Sequence, residues 1–241
     1  MKAMLLSEYK HLELQDLPQP VPGPDEVLVQ VAACGICGSG RRIPPIVMGH
    51  EAAGIVTAVG SAVKGFAPGN RVTFDSTVYC GTCGFCRRGE FNLCDNRQVV
   101  GVSCGEFRRH GAFAEYVTVP ERILYSLPSA LSFAEAAMLE AVSVALHGVG
   151  VSEVKGGETA LVIGAGMIGL LLLQSARAAG CSRVFVADID ATRLKLAADL
   201  GADQTLLLSG ADLQTEVLRL TEGRGVDVVL EAVGRNETVT S

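Results

Sequence analysis

The chain has 241 residues, long enough for two modest domains and a substantial buried core. Its hydrophobic fraction of 49%, with 5% aromatics and no Trp, rests on Val, Ala, Leu and Ile, an α/β composition. A formal charge of −6 without a polybasic run excludes an electrostatic nucleic-acid or lipid-headgroup binder, so a small molecule is the expected partner, with no nucleic acid and no membrane.

The N-terminal MKAMLLSEYKHLEL reaches Glu8, Lys10 and Glu13 before an apolar signal core can form, so no secretory signal is visible. Pro18, Pro20, Pro22, Gly23 and Pro24 break the chain. Strands are expected at 26–32, 50–59, 70–74 and 112–119, and such short strands with glycine turns suggest a small barrel or sandwich. Ser132 with Glu135 reads as a capping box opening an Ala-rich helix. Gly156-Gly157 reads as the hinge between a first domain, 1–155, and a second, 156–241. The most apolar segment, 160–173, is shorter than the roughly 18 residues of a membrane span and carries three glycines, which fits a buried helix. From 159 onward strands (159–163, 183–187, 204–208, 226–230) alternate with helices (to about 180, 191–200, 211–221), which predicts a parallel sheet with right-handed crossovers.

The first βαβ unit carries the chemistry of the second domain. Gly164-Ala165-Gly166-Met167-Ile168-Gly169 lies between a strand and a helix, and Asp188 follows 24 residues after Gly164, at the end of the next strand. That is a dinucleotide-binding layout. Gly164 permits the turn, Gly166 lets a pyrophosphate approach the backbone, and Gly169 lets helix and strand pack closely. Gly164, Gly166, Met167, Ile168 and Gly169 are therefore expected cofactor contacts at the helix N-terminus. Asp188 is expected on the adenosine ribose and predicts NAD over NADP, with Arg193 beside the adenine or offsetting the repulsion of a 2′-phosphate.

The eight cysteines are clustered, and without an export signal they suggest metal ligands in a reducing, cytoplasmic compartment rather than disulfides. Cys80, Cys83, Cys86 and Cys94 can close a tetrahedral shell of four thiolates, a structural zinc site with no open position, while Gly81, Gly84 and Gly89 relieve the turns. An iron–sulfur cluster is disfavoured, because the seven-residue gap before Cys94 departs from the bacterial ferredoxin spacing. His11, His110 and His147 read as structural, Cys104 and Cys181 as small buried hydrophobes, and Arg41-Arg42 as a solvated pair.

A second constellation, Cys34-Gly-Ile-Cys37-Gly-Ser39 with Gly49-His50-Glu51, supplies thiol, imidazole and carboxylate, and Glu140 is a further carboxylate in LEAVSVALHGV. With CGICGS, GHE, the cysteine lobe, GAFAEYVTVP, LEAVSVALHGV and GAGMIG in that order, the chain resembles the zinc-dependent medium-chain dehydrogenase/reductase family, particularly its sorbitol (polyol) dehydrogenase branch. The resemblance implies a β-rich GroES-like catalytic domain followed by a Rossmann-type nucleotide domain. It further implies a catalytic zinc ringed by Cys37, His50 and Glu140 or Glu51, with Ser39 relaying the alcohol proton, and a homo-oligomer. Together with the cysteine lobe, the expected cofactors are one catalytic zinc, one structural zinc and NAD, serving an alcohol or polyol substrate.

Two departures stand out. Only 12 residues separate Cys37 from His50, and the aspartate and histidine the family carries after the serine are absent. The nucleotide sheet also stops after its fourth strand, so the sequence is read as omitting a loop and a C-terminal portion of a longer protein. The expected activity is oxidation of a secondary hydroxyl of a polyol. Its rivals are an L-threonine 3-dehydrogenase-like enzyme and a non-catalytic nucleotide-binding relative.

Overall fold

The computed structural model describes residues 1–38, 43–104, 107–208 and 212–239, and divides into two compact units, Met1–Glu140 and Ala141–Ser241. In the first unit the strands are β1 (Lys2–Glu8), β2 (His11–Asp16), β3 (Glu26–Cys34), β4 (Ile46–Val47), β5 (Ala52–Val59), β6 (Arg71–Phe74) and β7 (Thr77–Val78), followed by a one-turn helix α1 (Gly84–Arg87). Then come β8 (Gln98–Val99), β9 (Ser103–Cys104), β10 (Phe107–Arg108), β11 (Tyr116–Pro120), β12 (Leu124–Ser126) and α2 (Phe133–Ala137). The expected strands fall into one five-stranded antiparallel sheet, ordered β11-β3-β5-β6-β12, beside a three-stranded sheet β2-β1-β4. Val27 and Val29 of β3, Val56 of β5, Val72 and Phe74 of β6, and Val117 and Val119 of β11 share one buried cluster. Their alternation is the period of two that places successive side chains on opposite faces of a strand.

Two expectations in this unit need adjustment. The segment expected to begin a strand at 112 joins β11 only at Tyr116: the amides of Gly111, Ala112 and Phe113 donate to the carbonyls of Val47, Gly49 and Met48 (2.7, 2.9 and 2.8 Å), and Ala114 bridges Ala3 of β1. Residues 111–113 thus clasp the segment leading to His50 before the chain enters β11. Gly84 begins α1 with an ordinary helical backbone, whereas Gly81 and Gly89 take positive φ, 77° and 81°, so only those two relieve a turn through left-handed backbone.

The capping box forms as read: the Glu135 amide donates to Ser132 Oγ (3.2 Å) and the Ser132 amide to Glu135 Oε2 (2.8 Å). The next helix, α3 (Leu139–Val151), starts at the last residues of the first unit, but its Ala145 and Val149 are buried in the core of the second. The units therefore divide at Glu140, where the sequence had suggested 155/156.

The second unit continues with β13 (Thr159–Ile163), α4 (Met167–Ala178), β14 (Arg183–Asp188), α5 (Ala191–Asp199), β15 (Gln204–Leu207), α6 (Leu213–Leu220), β16 (Val228–Glu231) and α7 (Asn236–Val239). Its sheet is wholly parallel and ordered β15-β14-β13-β16. Ala160, Val162, Val184 and Val186 enter one core with α3, α4 and α5, while Leu161, Ile163, Phe185 and Ala187 enter another with Leu213 and Val217 of α6. Helices on both faces explain why these strands are apolar at every position rather than at alternate ones. The expected helix start at Ala211 lies outside the described residues, and Asp212 caps α6 by accepting from the Thr215 amide. No helix among the described residues is long and apolar enough to cross a membrane.

Candidate metal centres and cofactor-binding turn

Cys37, His50 and Glu51 meet because β3 and β5 are antiparallel neighbours. Cys34 pairs with Ala52, and one step further the Gly35 amide donates to the Glu51 carbonyl at 2.7 Å. This brings the loop after β3 alongside the residues just before β5. The Cys37 sulfur, a ring nitrogen of His50 and a carboxylate oxygen of Glu51 all lie within 4.8 Å of one another. Donors sharing one zinc through bonds of about 2.0–2.3 Å stand roughly 3.3–3.8 Å apart, so small side-chain adjustments suffice.

The electrostatics favour a cation. His50 is 7% exposed and Glu51 3%, and burial raises the Glu51 carboxyl above its usual range, partly offset by a hydrogen bond from Cys37. Glu140, at the start of α3, is also raised, first by burial and then by the negative charges of Glu51 and Asp75. Carboxyls raised by burial, one of them also by its acidic neighbours, are costly to ionise without a positive partner. A mixed S/N/O donor set is one that zinc accepts, and three protein ligands leave a fourth position for substrate or water. Of the two carboxylates implied by the resemblance, Glu51 joins Cys37 and His50 in the close cluster, and Glu140 stands outside it. Ser39, Arg41 and Arg42 lie outside the described residues.

Glycines build the pocket around this cluster. A Cβ on Gly35 would sit 2.2 Å from Glu51 Oε2, and one on Gly49, at φ 97°, would sit 2.7 Å from the backbone nitrogen of Phe113. Cys34 is a neighbour of a different kind. Burial pushes its thiol up to about 12, which leaves it protonated and poorly suited to ligation. Sequence reading did not single out Gly35 or Asp75; the one visible signal was Gly35 inside CGIC.

In the second cluster the ligand atoms of Cys80, Cys83, Cys86 and Cys94 also lie within 4.8 Å of one another, and Cys80 Sγ is 3.9 Å from Cys86 Sγ. Donors point at the sulfurs: the Cys80 amide to Cys94 Sγ (3.2 Å), and the amide and hydroxyl of Thr82 to Cys80 Sγ (both 3.5 Å). The Thr82 hydroxyl and amide draw the Cys80 thiol down to about 5, and backbone donation from Cys86 lowers that of Cys83. This favours thiolates at Cys80 and Cys83, the form a metal needs, whereas burial pushes the Cys86 thiol up to about 12, so its ligation must displace a proton. Cys181 is 6% exposed within the second unit's core, His110 accepts from the Val47 amide (3.0 Å), His11 bonds Ser7 (3.0 Å), and the side chain of Cys104 lies outside the described residues.

The three glycines of the turn differ in their local geometry. Gly164 takes φ 97°, and a Cβ on Gly169 would lie 1.7 Å from the Gly164 carbonyl oxygen. At Gly166, the N-cap of α4, a Cβ would meet nothing within 4 Å, so open space faces the helix N-terminus. The first-turn amides of Met167, Ile168 and Gly169 have no carbonyl one turn back and suit an anion. Asp188 is 6% exposed; its Oδ2 accepts from the Ala165 amide (2.6 Å) and its Oδ1 from the Asp190 amide (2.9 Å). It thus ties the turn to the end of β14, while each oxygen keeps a further lone pair for a ribose hydroxyl. Arg193 approaches Asp188 and Asp190, 3.9 Å from each, with a mostly exposed side chain.

Two family profiles match, "Alcohol dehydrogenase GroES-like domain" over residues 23–129 and "Zinc-binding dehydrogenase" over 168–241. The chain is 33% identical to sorbitol dehydrogenase of Bacillus subtilis, over its whole length and 70% of that protein. It is 36% identical to L-threonine 3-dehydrogenase of Pyrococcus horikoshii, covering 92% of this chain and 66% of that one. A structure from Sinorhizobium meliloti 1021, described as a zinc-binding dehydrogenase bound to NADP, superposes with a TM-score of 0.88 at 39% identity, covering 99% of this chain and 71% of that one. Both halves of the chain, and identity sustained from one end to the other, show that it belongs to the zinc-dependent medium-chain dehydrogenase/reductase family, in its sorbitol dehydrogenase-like branch.

Proposed function

We propose that the chain carries the zinc and nucleotide sites of an NAD-linked dehydrogenase that oxidises a secondary hydroxyl of a polyol or related small alcohol to a ketone. The observation that carries this reading is the cluster of half-buried Cys37 with buried His50 and Glu51, a three-donor set that would leave a fourth position open. When bound there, zinc supplies Lewis acidity toward the alcohol oxygen, and NAD supplies the hydride acceptor.

The chain's own residues do the rest. The Cys37 thiolate and Glu51 carboxylate would offset metal charge, His50 would supply a third, neutral donor, and Glu140 modulates the field around them. Ser39 takes the alcohol proton. Gly164, Gly166, Met167, Ile168 and Gly169 cradle the pyrophosphate, and Asp188 receives the adenosine ribose, which favours NAD; Arg193 limits that preference by partly neutralising the acid. Cys80, Cys83, Cys86 and Cys94 hold a second, structural zinc. We place the protein in the reducing cytoplasm, acting on a small molecule as a homo-oligomer, with neither nucleic acid nor membrane as partner.

The identity to a threonine dehydrogenase supports a second reading, oxidation of the L-threonine hydroxyl by the same constellation. A screen of NAD reduction with polyols and L-threonine, on zinc-loaded protein, decides between them. Failure with every alcohol, in protein that binds both NADH and zinc, would favour the non-catalytic alternative.

A further inference from the structure

We propose that the second unit carries a separate binding site for a small zwitterion of the α-amino acid class, at the foot of its parallel sheet. A cavity of about 290 Å³ opens there, lined by Thr159, Arg183, Glu222, Arg224 and Asp227 among others. Strand register builds it. Thr159 begins β13 and pairs with Arg183, the first residue of β14. Successive side chains of a strand point to opposite faces. Leu161 and Ile163 of β13, and Phe185 and Ala187 of β14, pack with Leu213 and Val217 of α6, so Thr159 and Arg183 lie on the α6 face as well. Residues 221–227, which lead from α6 to β16, line the same cavity. The cofactor-binding turn begins at Gly164, beyond the far end of β13 and about 16 Å away at the rise of a strand, so the two sites are distinct.

The lining is polar, held in place and incompletely paired. Asp227 Oδ2 accepts from the Thr159 amide (2.7 Å), and the Asp227 amide donates to the Thr159 carbonyl (2.9 Å), which fixes the end of the loop against β13. Arg183 Nη1 donates to the Leu220 carbonyl (3.2 Å), and the Gly225 amide donates to Thr221 Oγ1 (2.9 Å). Glu222 is held at φ 54°, a left-handed backbone that residues other than glycine rarely take. Polar capacity nevertheless stays unused. Among the described residues the Thr159 hydroxyl has no hydrogen-bond partner, although Thr159 is only 7% exposed, and buried polar groups are almost always paired. The Arg224 guanidinium and the Glu222 carboxylate also lack a partner among them, and no ion pair joins Arg183 or Arg224 to Glu222 or Asp227. Two cations and two anions thus share one small cavity without neutralising each other. A ligand of a single sign would leave half of these charges unanswered, whereas a carboxylate and an ammonium on one small molecule answer both. The guanidiniums suit the carboxylate through paired N–H donation, with the Thr159 hydroxyl as a further donor. Glu222 and the second oxygen of Asp227 suit the ammonium.

L-Glutamine, whose side chain adds no third charge, is titrated by calorimetry into wild type, Thr159→Val, Arg224→Ala and Glu222→Gln. Acetate, methylammonium and inorganic phosphate serve as controls of a single sign, and backbone amide shifts are followed by NMR. In wild type L-glutamine should bind with a Kd of about 1 mM or tighter, at least about tenfold tighter than any control, and should shift the amides of Ser182, Arg224 and Gly225. Arg224→Ala should weaken it about tenfold, and Thr159→Val and Glu222→Gln about threefold or more each, with Tm close to that of wild type. Arg224 and Glu222 are exposed, so their variants decide the matter if Thr159→Val does not fold. No saturable binding up to about 20 mM, shifts confined to other residues, or an affinity that Arg224→Ala and Glu222→Gln leave unchanged overturns the site. Phosphate that binds more tightly than L-glutamine overturns its assignment to a zwitterion.

Discussion

Replacing Gly35 with Ala should weaken metal binding at the Cys37/His50/Glu51 cluster while leaving the fold nearly intact. The new methyl carbon would stand 2.2 Å from Glu51 Oε2, 3.1 Å from Glu51 Cβ and 3.3 Å from Glu51 Cδ. The backbone cannot retreat freely, because the Gly35 amide donates to the Glu51 carbonyl at 2.7 Å. The carboxylate must therefore rotate out of the cluster. Overpacking of this kind costs about 1–3 kcal/mol, and a displaced rotamer about 0.5–1.5 kcal/mol. Because the nearest atom is the flexible end of the side chain, the global cost should fall near 1 kcal/mol, a modest loss in Tm. The greater effect falls on the metal, since a carboxylate held elsewhere must pay its displacement back on ligation. A penalty of about 1.4–3 kcal/mol there corresponds to roughly 10- to 150-fold weaker zinc affinity. Chelator competition followed by zinc quantification, with Tm measured alongside, reads both terms. A Gly35→Ala protein that holds zinc at this site with wild-type affinity would refute the placement of Glu51 among the ligands.

Cys83→Ser or Cys94→Ser should release one zinc per chain and lower Tm by several degrees or more, because structural zinc contributes folding energy directly; unchanged metal content and Tm in both variants would exclude a metal from the lobe. Gly169→Val should abolish NADH binding and leave zinc content intact, since even its Cβ would lie 1.7 Å from the Gly164 carbonyl oxygen; retained NADH affinity would contradict the turn's role. In metal-free protein, Glu51 and Glu140 bind protons more tightly when folded than when unfolded, so stability should fall as pH rises from about 4.3 through their raised folded values. Zinc competes with those protons, so its affinity should rise over the same window; urea melts of apo and zinc-loaded wild type, Glu51→Gln and Glu140→Gln across pH 4–8 isolate their share from that of the lowered carboxyls such as Asp16 and Glu135, and a pH slope that both variants leave unchanged contradicts the assignment.

How much of this was legible depended on how local each signal was. The turn from Gly164 to Gly169 declares itself because Gly164 and Gly169 answer two separate steric demands within six residues, and Ser132 with Glu135 completes its hydrogen bonds within one helical turn. The cysteine lobe is equally local. The β1–β2 hairpin was not anticipated because its turn passes through Lys10 at φ 68°, a residue that carries no turn signal, and because Leu12 and Leu14 face outward against the usual pattern. The choice between Glu51 and Glu140 depended on strand register: pairing of Cys34 with Ala52 carries Glu51 to Cys37, a fact of tertiary structure that spacing does not encode. Asp188 was read as a ribose ligand alone, but its bond to the Ala165 amide reveals a scaffolding duty as well, visible only once the turn folds back on β14. The unit boundary moved to Glu140 because α3 spends its buried alanine and valine on the nucleotide core, whereas the glycine pair at 156–157 marks only the entry to β13.

The central claim, that the metal at Cys37, His50 and Glu51 performs alcohol chemistry with NAD, is tested most directly by comparing wild type with Cys37→Ser and His50→Ala. Zinc content, NADH affinity and NAD reduction with the best alcohol from the screen are measured on the same preparations. The account predicts that both variants keep the lobe zinc and bind NADH as wild type does, but lose at least about 99% of turnover, as expected when a Lewis-acid site is dismantled. Near-normal turnover in both variants would contradict it.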